Sequence, residues 1–310
     1  MVIVIISILA SLLVVASMSV IGSSREAATK GTILKVHGML KERLGVFSGH
    51  KTDPVQIASV SEIAGNDNKR AEVIARKVEF MRAFPQTWAE AVRANLLKDS
   101  DLPSSTTPEA ESSEVLYFVL TASNSLGMSP VDTDSFNSNE VRDTNGNGRL
   151  EFIDAWGRPL RFYRWPTRLI RPDGYGSSVG FARAKILIGD LAKSDIQLGG
   201  DPDDPVGLLT SGNWPTTTGP TFSVQNTVAF EQGDPSPMST GLFTIERFHS
   251  LGTFHAPLLV SSGADGNLGL NEPSDMSTTT FGYLARPVDT ANDSPLYDNI
   301  SNYNFRSGGN

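Results

Sequence analysis

Residues 1–21 read MVIVIISILASLLVVASMSVI and carry no charged side chain. An α-helix rises about 1.5 Å per residue, so this stretch is long enough to cross a hydrocarbon core of about 30 Å. Backbone polar groups in lipid must be hydrogen-bonded within the segment, which requires a helix. A cleavable secretory signal begins with basic residues and has a shorter apolar run. We therefore predict that residues 1–22 form the transmembrane half of a helix.

The helix is predicted to continue beyond the apolar stretch. Through residues 23–47, charged residues alternate with apolar residues that recur roughly at helical spacing. Gly31 and Gly38 each weaken the helix by about 1 kcal/mol relative to Ala. We expect an amphipathic half that lies on a globular domain. Its apolar positions are Ala27, Ala28, Ile33, Leu34, Val36, Met39, Leu40 and Leu44.

The composition of the 310 residues argues against several classes of protein. The absence of Cys excludes disulfides, thiol catalysis and cysteine zinc sites. The four His residues form no HxxxH pair, which argues against a histidine-rich metal site. A net charge of -8 argues against a general nucleic-acid binder. Phosphate-loop and nucleophile-elbow motifs are missing from the sequence, and we predict that the protein is not an enzyme.

Residues 48–130 are predicted to form a helical insertion. The runs DPVQIASVSEIAG (53–65) and NKRAEVIARKVEFMRAFPQTWAEAVRANLLKD (68–99) indicate helices. Pro85 should end or kink the second of them, because proline cannot donate within a helix. The apolar run SEVLYFVLTAS (113–123) favours a buried helix, with a strand as the alternative.

Residues 131–310 are predicted to form a β-rich head. Turn-forming residues become frequent and apolar runs become short, which favours strands joined by long loops. An antiparallel sheet resting on the second half of the first helix would give an α+β fold. The runs expected to be strands are RLEFIDAW, PLRFYRW, AKILIGDL, LFTIERF and APLLVSS.

Residues 143–154, DTNGNGRLEFID, have the spacing of an EF-hand calcium loop. The side chains at positions 1, 3, 5, 9 and 12 are Asp143, Asn145, Asn147, Glu151 and Asp154. The twelfth residue is Asp where the motif usually has Glu. NGNG is also a good hairpin turn that needs no metal, and a strand rather than a helix is expected after it. Both interpretations stay open, and the metal-free turn is favoured.

Three segments occur in an order that resembles the type IV pilins and the type II secretion pseudopilins, most closely the major pseudopilin. They are VIVIISILASLL with REAATKGTILKVHGMLKERL, then DAWGRPLRFY, then PLLVSSGADGNLGL. The family's basic leader, its cleaved Gly and its FTLxE start are not in this sequence, and Met1 aligns just after the family's Glu. We expect the coding sequence to begin upstream of Met1. The alternative is a chain without this motif, which would put filament assembly in doubt.

The resemblance implies a pilin-like fold with a structural calcium ion in the C-terminal loop. Carried over by position, Asp265 and Asp298 are the carboxylate ligands, and Ser262 assists. The backbone carbonyls near Leu259 and Asn267 complete the set. The chain departs from the family pattern in a longer insert before residue 297 and in Tyr303, which stands where the family has Trp.

The resemblance also implies a role as a structural subunit of a type II secretion pseudopilus. The expected location is the bacterial inner membrane, with a single span and a periplasmic head. The expected partners are copies of the same chain, other pseudopilins, an inner-membrane assembly platform and, through residues 1–21, membrane lipid; nucleic acid is not expected. Two alternatives are a type IV pilus subunit for adhesion or DNA uptake, and a membrane-anchored periplasmic binding protein that does not polymerise.

Overall fold

The structure is a computed structural model of the chain. It describes residues 2–61, 64–166, 256–275, 282–289 and 294–304, together with residues 187, 203, 204, 206, 208 and 292. Two of the predicted strands, AKILIGDL apart from Leu187 and LFTIERF, lie outside the described residues.

One continuous helix, α1 (Val2–Gly49), contains both the apolar and the amphipathic stretch. The prediction of a single long helix is confirmed. The helix passes through Gly31 and Gly38 unbroken. Each glycine costs about 1 kcal/mol, whereas a buried Ile33, Val36 or Leu40 contributes about 1.5–3 kcal/mol, so the packed face outweighs them.

Four shorter helices follow α1: α2 (Pro54–Ser59), α3 (Asn68–Ala83), α4 (Trp88–Arg93) and α5 (Pro108–Thr121). The side chains of Asp53, Asp67 and Thr87 accept hydrogen bonds from the first free backbone N–H groups of α2, α3 and α4. The predicted break at Pro85 is confirmed, since α3 ends two residues before it. The SEVLYFVLTAS run is helical, as favoured.

The strands are short: β1 (Val141–Arg142), β2 (Glu151–Phe152), β3 (Arg161–Tyr163), β4 (Leu258–Ser261) and β5 (Ile300–Ser301). β1 and β2 form an antiparallel pair around the 143–150 turn. β3, β4 and β5 form an antiparallel sheet with β4 in the middle, in which Phe162 pairs with Leu259 and Ser261 with Ile300. The described part of the chain is therefore α+β.

The main core lies where the second half of α1, α5 and the sheet meet. From α1 come Ile33, Val36 and Leu40, and from α5 come Leu116 and Leu120. The strands add Phe152, Phe162 and Leu259 to the same cluster. α3, through Phe80, and α5 thus share one core with the sheet and with α1.

A buried ion pair joins α4 to the residue after β3. The Arg164 guanidinium donates to both carboxylate oxygens of Glu90, at 2.8 and 3.1 Å, and to the Phe84 carbonyl at 2.8 Å. Burial raises the pKa of Glu90, but the charge and hydrogen bonds of Arg164, together with the Gln86 N–H and the Arg93 charge, outweigh burial and hold that pKa below its ordinary value. Both side chains are almost fully buried, so neither charge has water as a substitute partner.

Replacing Glu90 with Ala is expected to lower the free energy of unfolding by about 3–5 kcal/mol, because it strands the buried Arg164 charge. The matched control is Glu26→Ala, which breaks the partly exposed pair with Lys30 in the next turn of α1 and should cost less than about 0.5 kcal/mol. Urea unfolding of the full chain in detergent, followed by circular dichroism, measures both. Equal losses would show that the Glu90 pair does not hold the head together.

Two leucines on α1 test which face of the helix is packed. Leu40 is fully buried whereas Leu34 is 51% exposed, although the sequence pattern grouped them. Leu40→Ala should therefore cost about 2–5 kcal/mol, and Leu34→Ala should change stability by less than about 0.5 kcal/mol. The same urea experiment gives both values, and a larger loss at Leu34 would contradict the orientation of α1.

Candidate functional site

The first half of α1 is an exposed apolar rod. Of its large apolar side chains from Ile3 to Ile21, all those that the structure describes are at least half exposed, and the most apolar window of the helix has no buried residue among them. Soluble monomers rarely expose contiguous apolar patches beyond a few hundred Å². In length and composition, α1 is sufficient to span a membrane, which is consistent with single-pass anchoring.

Three of the four serine hydroxyls on this rod are satisfied within the helix. The hydroxyls of Ser7, Ser11 and Ser17 donate to the carbonyls of Ile3, Ile8 and Leu13 at 2.8–2.9 Å. Such internal bonds remove the penalty for placing a hydroxyl in an apolar medium. The rod can therefore be surrounded by lipid or by other helices without leaving these three hydroxyls unpaired.

The second half of α1 is fixed to the head. Burial begins at Thr29, whose hydroxyl accepts from the Ala155 backbone N–H at 3.0 Å. Further along, the Nδ1 atom of His37 lies 2.9 Å from Asn302 Nδ2, and the Arg43 guanidinium donates to Ser125 Oγ at 2.7 Å. The buried second half of α1 thus continues without a break into the exposed apolar rod.

The turn after β2 is organised by Asp154. Its Oδ1 atom accepts from the backbone N–H groups of Trp156 at 2.9 Å and Arg158 at 3.0 Å. Its Oδ2 atom accepts from the Ser261 hydroxyl on β4 at 2.7 Å. Gly157 has φ +82°, which favours glycine. The structure therefore uses Asp154, the predicted twelfth position of a calcium loop, to join this turn to the sheet.

The turn between β1 and β2 is closed by its own side chains. Both carboxylate oxygens of Asp143 accept backbone N–H groups, from Gly146 at 2.7 Å, Asn147 at 3.1 Å and Gly148 at 2.8 Å. The Asn145 and Asn147 side-chain oxygens accept from the N–H groups two residues further on. β2 follows, so an EF-hand's second helix is replaced by a strand, as the sequence indicated.

Two acidic side chains lie against this turn. Glu151 is fully buried; its Oε1 atom accepts from the Thr144 N–H at 2.7 Å, and its Oε2 atom has no hydrogen-bond partner within the described residues. Glu114 of α5 is also fully buried, and its Oε1 atom accepts from the side-chain amides of Asn145 at 2.7 Å and Asn147 at 2.8 Å. The turn is thereby attached to α5.

Sequence reasoning missed Glu114. The residue stands inside the apolar run SEVLYFVLTAS, where a charged side chain that faces the core needs a partner. A charged residue within an apolar run was the available signal. Its partners Asn145 and Asn147 lie about 30 residues away in the sequence, and only the fold brings them close to Glu114. Its second oxygen accepts from Trp88 Nε1 at 2.8 Å and Thr106 Oγ1 at 3.1 Å.

The C-terminal loop brings the predicted ligands Asp265 and Asp298 together. Asp298 Oδ2 accepts from the Asp265 N–H at 3.0 Å, and the Ser262 hydroxyl is buried without a hydrogen-bond partner among the described atoms. However, the Leu259 carbonyl accepts from the Asn302 N–H at 3.1 Å. The Arg158 guanidinium donates to the nearby Gly263 carbonyl at 2.8 Å. The Leu259 carbonyl thus already accepts one hydrogen bond, and calcium at this loop stays a prediction.

The histidine and carboxylate side chains that the structure describes form no group of three with the spacing of a metal site. Comparison with protein-family models, with curated proteins and with solved structures finds no significant match.

Gly263 tests the close approach of the C-terminal loop to Asp298. A Cβ atom at Gly263 would lie 2.3 Å from the Asp298 carbonyl oxygen, whereas one at Gly127 would meet no atom within 4 Å. Both glycines have similar φ, +66° and +69°. Gly127→Ala should therefore cost about 1–2 kcal/mol for backbone strain alone, and Gly263→Ala should cost about 1–3 kcal/mol more. Thermal unfolding of both variants measures the difference, and equal losses would contradict the approach.

Proposed function

We propose that the protein is a pilin-like structural subunit of a type II secretion pseudopilus. The observation that carries the proposal is the division of α1 into an exposed apolar half and a half buried in the head. A subunit that is stored in a membrane and later packed into a filament needs both properties in one rigid element. The role is mechanical and assigns no catalytic residue.

The apolar half supports both environments that this role requires. In a bilayer its side chains contact lipid tails, and in a filament they contact the same segment of neighbouring subunits. Because lipid tails and leucine side chains are similarly apolar, moving between them has little hydrophobic cost. Close packing and helix–helix contacts then decide which environment is favoured.

The head supports the second requirement, a rigid attachment. Ile33, Val36 and Leu40 are fully buried against α5 and the sheet, so a pull on the apolar half is transmitted to the whole core. In this role the head faces the periplasm, and the inner-membrane assembly platform acts on the subunit. Copies of the chain and other pseudopilins would surround the apolar half in the filament.

Cysteine cross-linking tests this assembly, because the chain has no cysteine of its own. A single Leu12→Cys substitution places a thiol on the apolar rod, where Leu12 is 61% exposed. In cells that carry the complete secretion apparatus, oxidation should give disulfide-linked dimers of this variant. The matched control is Val55→Cys on the head, which is 69% exposed and should stay monomeric.

Three outcomes separate the candidate functions. Dimers at position 12 with short filaments that depend on the secretion apparatus support the pseudopilus. Long surface filaments that persist without that apparatus would instead indicate a type IV pilus. Monomers at position 12, with the chain retained in the membrane fraction, would indicate an anchored protein that does not polymerise.

A further inference from the structure

We infer that the turn at residues 143–148 binds a calcium ion with Glu114 of α5 as a ligand from outside the loop. This site is separate from the C-terminal loop, and its evidence does not depend on filament assembly.

Three carboxylates gather around one short turn. Asp143 lies within it and binds its backbone N–H groups, Glu151 binds the Thr144 N–H, and Glu114 binds the Asn145 and Asn147 amides. Glu114 and Glu151 are both fully buried. Carboxylates from a helix, a turn and a strand therefore all bind groups of the same turn.

These negative charges lack a compensating positive charge. Among the residues that the structure describes, no Lys or Arg forms an ion pair with Glu114, Asp143 or Glu151. Buried carboxylates without a cation are costly, and a bound divalent ion would remove that cost.

One oxygen of the group already lacks a partner. Glu151 Oε2 is buried and accepts no hydrogen bond from any described residue. By contrast, each oxygen of Glu114 accepts two hydrogen bonds, all from neutral donors. A buried carboxylate oxygen without a hydrogen-bond donor, beside a turn that two further carboxylates bind, is the atom expected to bind a cation.

The ligand set suits calcium better than magnesium. Calcium accepts six to eight oxygens from carboxylates, amides and backbone carbonyls in flexible geometry, whereas magnesium demands a near-ideal octahedron. The Asn145 and Asn147 side chains now turn their nitrogens towards Glu114. Rotation of these amides would present their oxygens instead. Since the three carboxylates do not already have metal-site spacing, binding must also draw the two Glu side chains towards Asp143.

Glu114 takes the place that the twelfth loop residue has in an EF-hand. Asp154 holds that position in sequence, but its two oxygens bind the turn at 154–158 and Ser261. The off-loop ligand would tie the β1–β2 turn to α5. Through Trp88, which donates to Glu114, it would also reach α4.

The test uses the full chain in detergent micelles, with thermal unfolding recorded in calcium and in a calcium chelator. A hundredfold excess of calcium over Kd is expected to raise the Tm by roughly 5 °C or more. Glu114→Gln and Glu151→Gln should each weaken binding at least tenfold, because each removes a carboxylate ligand. The matched control is Glu109→Gln, which changes an exposed acid in the first turn of the same helix and should keep the full response.

A second readout separates lost binding from lost folding. Terbium(III), which replaces calcium at oxygen sites, should emit when Trp88 is excited, since the indole lies 2.8 Å from Glu114. Trp88→Phe should abolish most of this emission. In chelator, Glu151→Gln should unfold at the same or a higher temperature than the unchanged chain, because it removes an uncompensated buried charge.

Two results would overturn the inference. An unchanged Tm in millimolar calcium would show that the turn is closed by hydrogen bonds alone. A calcium response that survives in both Glu114→Gln and Glu151→Gln would place the ion elsewhere, and loss of that response in Asp298→Asn would then assign it to the C-terminal loop. Neither result bears on filament assembly, which is measured in cells.

Discussion

The structure depends on the packing of the second half of α1 against the head. Ile33, Val36 and Leu40 are fully buried against α5 and the β3–β4–β5 sheet. Each such side chain contributes about 1.5–3 kcal/mol, so the three together are comparable with the net stability of a typical domain. Without this packing, the head would lose the side chains that α1 contributes to its core. The apolar half of α1 would then be joined to the head only by a flexible tether.

Polar contacts place the loops around that core. The Asp154 carboxylate connects a turn to β4, and the Ala155 N–H connects the same turn to Thr29 on α1. The Glu114 carboxylate connects the β1–β2 turn to α5. In each case a polar side chain binds backbone or amide groups that a loop would otherwise leave unpaired. Loops with few apolar residues are therefore still held in place.

Local patterns predicted the helices well. The uncharged run before Gly22, the periodicity beyond it and the break at Pro85 all act over a few residues, and the structure has α1 and the end of α3 where they indicate. Leu34 shows the limit of such patterns, because helical spacing defines a face only to within a residue or two. The strands near residues 151, 161 and 258 were expected, although they are shorter than the apolar runs suggested.

Contacts between residues far apart in the chain could not be predicted from sequence patterns. The pairing of β3 with β4 joins residues about 100 positions apart, and no local signal specifies that register. For the same reason the role of Glu114 was not predicted, because its partners Asn145 and Asn147 belong to a turn far along the chain. Asp154 had the correct spacing for a calcium ligand, yet the fold places Ser261 beside it and gives it a structural task. Spacing predicts which side chains are available, and the tertiary fold decides what they contact.

The proposed function requires α1 to serve as both membrane segment and filament core. Cryo-electron microscopy of filaments isolated from cells with the complete secretion apparatus tests it most directly. We expect density for residues 3–21 packed against neighbouring copies at the filament axis, with each head outside. Subunits found only singly in the bilayer, or filaments whose axis contains the heads, would contradict it.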